Sequence, residues 1–322
     1  MSGPKPPVVV CVGVVTLDAL ALVDRHPGPD ERVVADRVAI SGGGPAATAA
    51  VVMARQGVPV SFVGRVGTDP EGEQALALLA AEGVDVTGVL RDPATPTQSS
   101  VVLAAAGTAT RCIATRGVPP LPPLAGRAAE LVAGADWAHT DHLGFAPVAE
   151  LVERLAAAGH PRPRLALDAG NEVPGLDGRL GLVDLYVPTA ASLTARYGAA
   201  PDAPGAVPDC ARRALAEGAG AVVATSGGDG SAAWWPDGGH AAAPAARGVE
   251  IVSTLGAGDV FHGALLAARC LGRDWPEALR HANATAALSC RALDGRSAVP
   301  DLAELSAFLS DAGAGDAGTG GG

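Results

Sequence analysis

The sequence predicts an α/β fold, with a central, mainly parallel β-sheet covered by helices on both faces and a small extra sheet projecting from it. Three observations carry that reading. Short apolar runs of strand length alternate with Ala- and Leu-rich helical patterns over most of the 322 residues, the rhythm of parallel strands joined by crossover helices. Gly57 and Gly83 close two of the helical patterns, as C-terminal glycine caps do. Two stretches, about 18–40 and 97–116, are alternating and β-branched with few helix signals, so they are assigned to the strands of the small sheet.

The elements follow in order. Residues 8–15 form the first buried strand. A helix over 46–56 leads to a strand at 58–63, and a second helix covers 71–81. Beyond the second alternating stretch come a strand at 137–140, a helix at 148–158, strands at 164–168 and 182–187, a helix at 210–217 and a strand at 221–225. A last strand at 249–254 runs into a long helix from Asp259. Residues 1–311 are read as one domain, since 48% hydrophobic residues suffice for a full core. The Gly-rich tail 312–322 is too poor in apolar residues to fold and is expected to be disordered.

Composition removes several function classes. A net charge of −11 argues against nucleic acid or an anionic membrane as partner. No apolar run reaches the length of a membrane span, and the first residues lack the basic-then-apolar order of a signal peptide, so a cytoplasmic location is expected. Cys11, Cys112, Cys210, Cys270 and Cys290 are scattered without a Cys-x-x-Cys pair, which fits reduced thiols rather than a disulfide frame or zinc site. Lys5 is the only lysine. A P-loop, a protein-kinase strand lysine and a Schiff-base amine are therefore all missing.

The chemistry-bearing candidate is Gly256-Ala257-Gly258-Asp259, between the last predicted strand and its helix. Small residues let the backbone approach an oxyanion, and a helix N-terminus offers free N–H groups. Asp259 stands close enough to take a proton from a bound hydroxyl; alternatively it is an ordinary N-cap. Small residues persist into the helix as far as Ala268, which suits close packing against a ligand-bearing loop. His139-Thr140-Asp141-His142 ends a strand and reads as polar residues near a ligand, or less readily as metal ligands.

Four motifs in order resemble the ribokinase-like, or pfkB, carbohydrate kinases. They are Gly42-Gly43-Gly44-Pro45-Ala46-Ala47-Thr48 with Gly64-Arg65-Val66-Gly67-Thr68-Asp69, then Thr225-Ser226-Gly227-Gly228-Asp229-Gly230, then Ser253-Thr254-Leu255-Gly256-Ala257-Gly258-Asp259, and finally His281-Ala282-Asn283 with Gly295-Arg296-Ser297-Ala298-Val299-Pro300. Within that family the first and third look most like sulfofructose kinases. The resemblance implies a three-layer sandwich with a β-sheet lid, ATP and Mg2+ as cofactors, and phosphorylation of a hydroxymethyl group on a small sugar-like substrate. It makes Asp259 the base and gives Gly256, Ala257 and Gly258 the γ-phosphate. Asp18, Gly43, Gly44 and Thr48 would meet the sugar, and Thr225, Gly227, Gly230 and Asn283 the nucleotide. The lid face is expected to pair with a second copy, giving a homodimer.

The departures bear on mechanism. Thr48 stands where the family has a substrate-binding Asn, and Thr189-Ala190-Ala191-Ser192 replaces its Asn-x-x-Glu, which places phosphate and magnesium. Magnesium would then rely on phosphates, water and Asp168. Ser253 replaces an Asp that often helps hold a monovalent cation, and either Arg32 or Arg111 could meet an anionic substrate. Two alternatives remain. One is a kinase-like binding protein that has lost catalysis. The other is an NADP-dependent oxidoreductase, because residues 42–47 also satisfy Gly-x-Gly-x-x-Ala and Arg65 could suit a 2′-phosphate.

Overall fold

The structure is a computed structural model that describes residues 7–108 and 110–317. Strands β1 (Val9–Val12), β4 (Val60–Val63), β9 (Trp137–Thr140), β10 (Arg164–Ala169), β11 (Leu185–Pro188) and β12 (Val222–Thr225) pair in parallel. The antiparallel strands β13 (Ser231–Trp235) and β14 (Gly239–Ala243) extend this sheet, in the order β14-β13-β12-β11-β10-β9-β1-β4. Every residue of β1, Val-Val-Cys-Val, is buried, as expected of a parallel strand covered on both faces.

Helices α1 (Pro45–Arg55), α2 (Pro70–Ala81), α7 (Ala257–Cys270) and α8 (Trp275–Ser289) supply the core on one face. On the other face lie α3 (Gly126–Ala133), α4 (Phe145–Ala157), α5 (Ala190–Arg196) and α6 (Ala206–Ala216). Helix α9 (Leu302–Ala317) packs on α8 through Leu305. The expected tail therefore starts inside a helix, and residues 318–322 lie outside those described.

A second sheet, β3-β2-β7-β8, is built from β2 (Thr16–Val23), β3 (Arg37–Gly43), β7 (Ser99–Ala105) and β8 (Thr110–Arg116); the second pair lies within its expected stretch, while β2 starts before residue 18 and β3 runs past residue 40. A short parallel pair, β5 (Arg65–Val66) and β6 (Leu90–Arg91), lies beside α2 in the chain. Asp69 caps α2, accepting from Gly72 N at 2.9 Å, and also accepts the Thr97 N–H at 2.8 Å. The Gly-x-Gly-x-Asp motif thus fastens the start of β7 to the core.

The predicted last strand does not form. The sheet edge beyond β12 is taken by the β13–β14 hairpin, whose Ala- and Trp-rich residues lack the β-branched signal of a strand. Residues 249–254 instead cross the end of α8, with Val252 N and Ser253 N donating to Cys290 O at 2.8 and 3.1 Å. The first strand also ends early. At Gly13 the chain leaves the central sheet for β2, and a side chain there would strike the Asp141 carboxylate.

Asp141 is fully buried and accepts N–H groups from three segments: Val14 at 2.7 Å, Ala46 at 3.3 Å, Leu143 at 2.9 Å and Gly144 at 3.0 Å. It pins the ends of β1 and β9 to the starts of α1 and α4, and so shapes the crevice at the C-terminal edge of the sheet. Asp141→Ala would strand these donors, each unmet group costing about 1–3 kcal/mol. A loss of at least about 3 kcal/mol in urea unfolding is expected, with Asp141→Asn intermediate; unchanged stability of both variants would refute this role.

Candidate active site

Two glycine turns meet at that crevice because the helices behind them touch. Gly263 of α7 lies against α1, where an added side chain would come 2.7 Å from Ala49 O. Each helix opens on a left-handed or otherwise positive-φ glycine, Gly44 (φ 93°) for α1 and Gly256 (φ 73°) for α7, with no side-chain cap. The turns differ in what their N–H groups do. At α1 the Ala46 N–H goes to Asp141 and the Ala47 N–H to Val14 O at 3.3 Å. At α7 Leu255 N goes to Ser253 Oγ at 3.2 Å, Ala257 N to Thr254 O at 3.3 Å and Val260 N to Gly256 O at 2.9 Å. Among the described residues, the N–H groups of Gly256, Gly258 and Asp259 donate to nothing. Of the expected Gly256, Ala257 and Gly258 donors, Gly256 and Gly258 are thus free, Ala257 is weakly engaged, and Asp259 adds a third free N–H at this helix start.

The Asp259 carboxyl is pushed up to about 7, first by burial and then by Asp168 and Asp141, with His262 and Arg296 opposing. His262 sits one helical turn on, at i+3, and its Nδ1 lies 2.8 Å from Asp168 Oδ2. Their mutual attraction holds Asp168 low despite its burial and raises His262 despite its own. Asp168 also accepts Gly170 N at 3.0 Å. Both of its oxygens are thus engaged, Oδ2 by His262 and Oδ1 by Gly170. Among the described residues no group of three His, Cys, Asp or Glu side chains could hold a metal. His139 lies beside this pair, its ring centroid 6.3 Å from that of His262. Burial, then His262, depresses it to about 4, so it is neutral. In the His139-Thr140-Asp141-His142 motif, Asp141 is consumed by backbone donors and serves structure.

The small sheet lies over the Gly256 turn. On its inner face Leu20, Val102 and Ala104 form a cluster with Leu293, and Leu255 of the signature packs against it. Arg32 and Arg111 are both exposed, and Arg111 of β8 donates to Thr254 Oγ1 at 2.9 Å. Pairing aligns Ser41, Asp18, Ser100 and Thr115 across the four strands, a polar stripe on the same face. Within it, Asp18 Oδ1 and the neighbouring Thr16 Oγ1 are buried without partners. Gly43 must be glycine, since a side chain would strike Asp18 and Thr16. Burial raises Asp18, with Thr16, Ser100 and Arg296 opposing.

The nucleotide candidates lie around β12 and the hairpin that follows it. Thr225 ends β12, Gly227 begins a short exposed turn and Gly230 (φ 100°) returns the chain, its missing side chain leaving room for Ala243 O. Asn283 spends its amide on Ala243 O and Pro244 O, both at 3.0 Å, and accepts from Ser231 Oγ at 3.1 Å. It buttresses the β13–β14 hairpin. Thr189 caps α5 at Ser192 N (3.0 Å), and the Ser192 hydroxyl reaches Gly170 O at 3.0 Å, so this pair is satisfied locally.

The dinucleotide alternative fails on two contacts. Arg65 donates to Pro119 O and Pro120 O, and the N–H groups that would receive a pyrophosphate at α1 are taken by Asp141 and Val14. Sequence reasoning missed Arg296 and the His262–Asp168 pair; the i, i+3 spacing of Asp259 and His262 was the available signal.

A family profile described as "pfkB family carbohydrate kinase" matches residues 7–302. The chain belongs to that family. It is 33% identical over 91 residues to a nucleoside kinase of Methanothermobacter thermautotrophicus, a match spanning 28% of this chain and 29% of that protein. In structure it is similar to Arabidopsis thaliana ribokinase complexed with ribose and ATP (TM-score 0.79, 24% identity, 95% of this chain and 99% of that one). It is also similar to the nucleoside kinase of Methanocaldococcus jannaschii (TM-score 0.71, 17% identity, 96% and 100% coverage). The fold is thus ribokinase-like.

The charge arrangement makes a prediction independent of any substrate. In a carboxyl-13C titration Asp259 is expected to titrate near 7, and His262→Gln, which removes an opposing charge, should move it higher. A midpoint in the ordinary carboxylate range would contradict the arrangement.

Proposed function

We propose that the chain transfers the γ-phosphoryl group of ATP to a hydroxymethyl group of a small sugar or nucleoside, using Asp259 as base. The observation that carries this reading is the unoccupied N–H set of Gly256, Gly258 and Asp259 beside a carboxyl tuned to about 7. Asp259 takes the hydroxyl proton; the oxygen forms its bond to the γ-phosphorus while the bond to the β,γ-bridging oxygen breaks and ADP leaves. Charge developing on the γ-oxygens meets the N–H groups and the α7 dipole. Mg2+ carried by ATP would neutralise part of the phosphate charge that these residues leave unmet.

Asp18, with Thr16, Ser100 and Gly43, would take the substrate hydroxyls under the small sheet, and a closed lid would limit ATP hydrolysis. Ribose and nucleoside acceptors are suggested by the relatives. A sulfosugar belongs in the same panel, with Arg111 as the nearest lid cation to the signature. A weakened, binding-only protein is the second reading, motivated by Thr189 and Ser192, whose hydroxyls bond to each other at 2.8 Å.

Because Asp259 must be ionised to act, kcat/KM for the acceptor should fall as pH drops through about 7. Asp259→Asn should lower kcat by at least about a hundredfold while ATP still binds. Coupled-assay ATP consumption over a sugar and nucleoside panel checks both. Activity undiminished by Asp259→Asn rejects the base, and no consumption with any acceptor favours the binding-only reading.

The outer face of the small sheet supports a homodimer. Ile40, Ala19, Val101 and Ala114 are register partners there, and Val38, Ile40 and Val101 are 71%, 54% and 56% exposed. A cavity of about 700 Å³ beside the start of α2, lined by Ile40, Val101 and Ala114 of this face and also by Asp18, Ser100 and Thr115 of the polar stripe, would receive the edge of the second lid. Light scattering should give a dimer for the native chain and a monomer for Ile40→Glu/Val101→Glu. A native monomer at working concentration would refute the lid dimer.

A further inference from the structure

Residues 294–297 belong to no helix or strand, yet they touch both glycine turns. Gly295 lies back to back with Gly256: a side chain on Gly256 would come 3.0 Å from Gly295 Cα, and one on Gly295 would come 3.0 Å from Leu255 O. The next residue, Arg296, is buried and passes beneath the other turn. Its Nε donates to Thr48 Oγ1 at 3.1 Å and its Nη2 to Gly43 O at 2.6 Å. Its Nη1 occupies the place where a side chain on Gly42 would point, near Leu78 of α2. Alternation along β3 makes that the opposite side from Asp18. The guanidinium therefore grips the turn from behind and leaves the substrate face open.

The segment is itself held firmly. Asp294 Oδ1 accepts Arg296 N at 2.7 Å and Ser297 N at 2.6 Å, and its Oδ2 accepts the Ser297 hydroxyl at 2.6 Å. Arg55 of α1 donates to Arg296 O at 2.8 Å.

We propose that Arg296 is a positioning residue, which fixes the sugar-side turn against the phosphate-side turn and brings a buried positive charge within electrostatic reach of both Asp18 and Asp259. Its kinetic consequences rest on the kinase reading above; its effect on the turns does not. Thr48, standing where the family has an amide, serves here as an acceptor for this arginine. Burial lowers Arg296 to about 10, with Asp18, Asp259, Asp294 and Glu82 opposing, so it stays charged at neutral pH. Asp259 also faces Asp168, Asp141 and His262, and Asp18 faces Thr16 and Ser100. Removing the cation leaves Asp259 among two other carboxylates with His262 alone to offset them, so its acid limb must move up.

The test compares the full-length native chain with Arg296→Met and Arg296→Lys by two readouts: amide hydrogen exchange without ligand, and kcat/KM against pH. Arg296→Met should speed exchange in residues 42–48 and raise the acceptor KM by about tenfold or more. It should also move the acid limb up by roughly half a pH unit or more. Arg296→Lys should return the limb to its native position but only part of KM, because an ammonium cannot span both acceptors as the guanidinium fork does. Native exchange and a native limb in a folded Arg296→Met overturn the proposal. If that variant does not fold, Arg296→Lys decides, since a native acceptor KM in it overturns the proposal and a raised KM with a native limb supports it. Faster exchange in Arg296→Met from a chain inactive on every acceptor would sink the kinase reading and leave the positioning role standing.

Discussion

The contact between Gly263 and Ala49 sets the geometry on which the site depends. With an added side chain only 2.7 Å from a backbone carbonyl, α1 and α7 lie closer than any larger residue allows. Their N-termini are thereby brought to one crevice at the C-terminal edge of a parallel sheet, where ligands gather in such folds. Two similar turns then divide the work. Asp141 and Val14 satisfy the donors of α1, which turns that end into scaffold, while those of α7 stay open to an anion.

Charge follows the same division. Asp141 is held by backbone donors and Asp168 by His262, so neither carboxylate is free to act. Asp259 is the one left without a partner group, and its neighbours raise it to a value suited to proton transfer near neutral pH. A lysine-free site is consistent with this, since oriented N–H groups can stabilise developing negative charge without a lysine.

Much of this was legible in the sequence. Strand and helix alternation gave the parallel sheet, and the β-branched stretches gave the small sheet, because both patterns report burial directly. The small residues after Asp259 signalled close packing, though the neighbour is helix α1 rather than a ligand-bearing loop. What failed was non-local. Nothing in Val249-Glu250-Ile251-Val252 says that a hairpin already occupies the sheet edge, and Ala-rich β13 and β14 carry no strand signal. Nor does spacing reveal that Asn283 faces carbonyls, that Arg65 is spent on Pro119 and Pro120, or that Arg296 reaches Gly43 from the far end of the chain. Burial is written locally; the partners of a polar side chain are not.

The most direct test of the account is a crystal structure of the native chain with a non-hydrolysable ATP analogue, Mg2+ and an accepted sugar or nucleoside. The γ-phosphate is predicted to lie on the N–H groups of Gly256, Gly258 and Asp259, with the acceptor hydroxyl about 3 Å from the Asp259 carboxylate. Phosphates bound at the Gly44 turn instead, or an acceptor hydroxyl out of reach of Asp259, would contradict it.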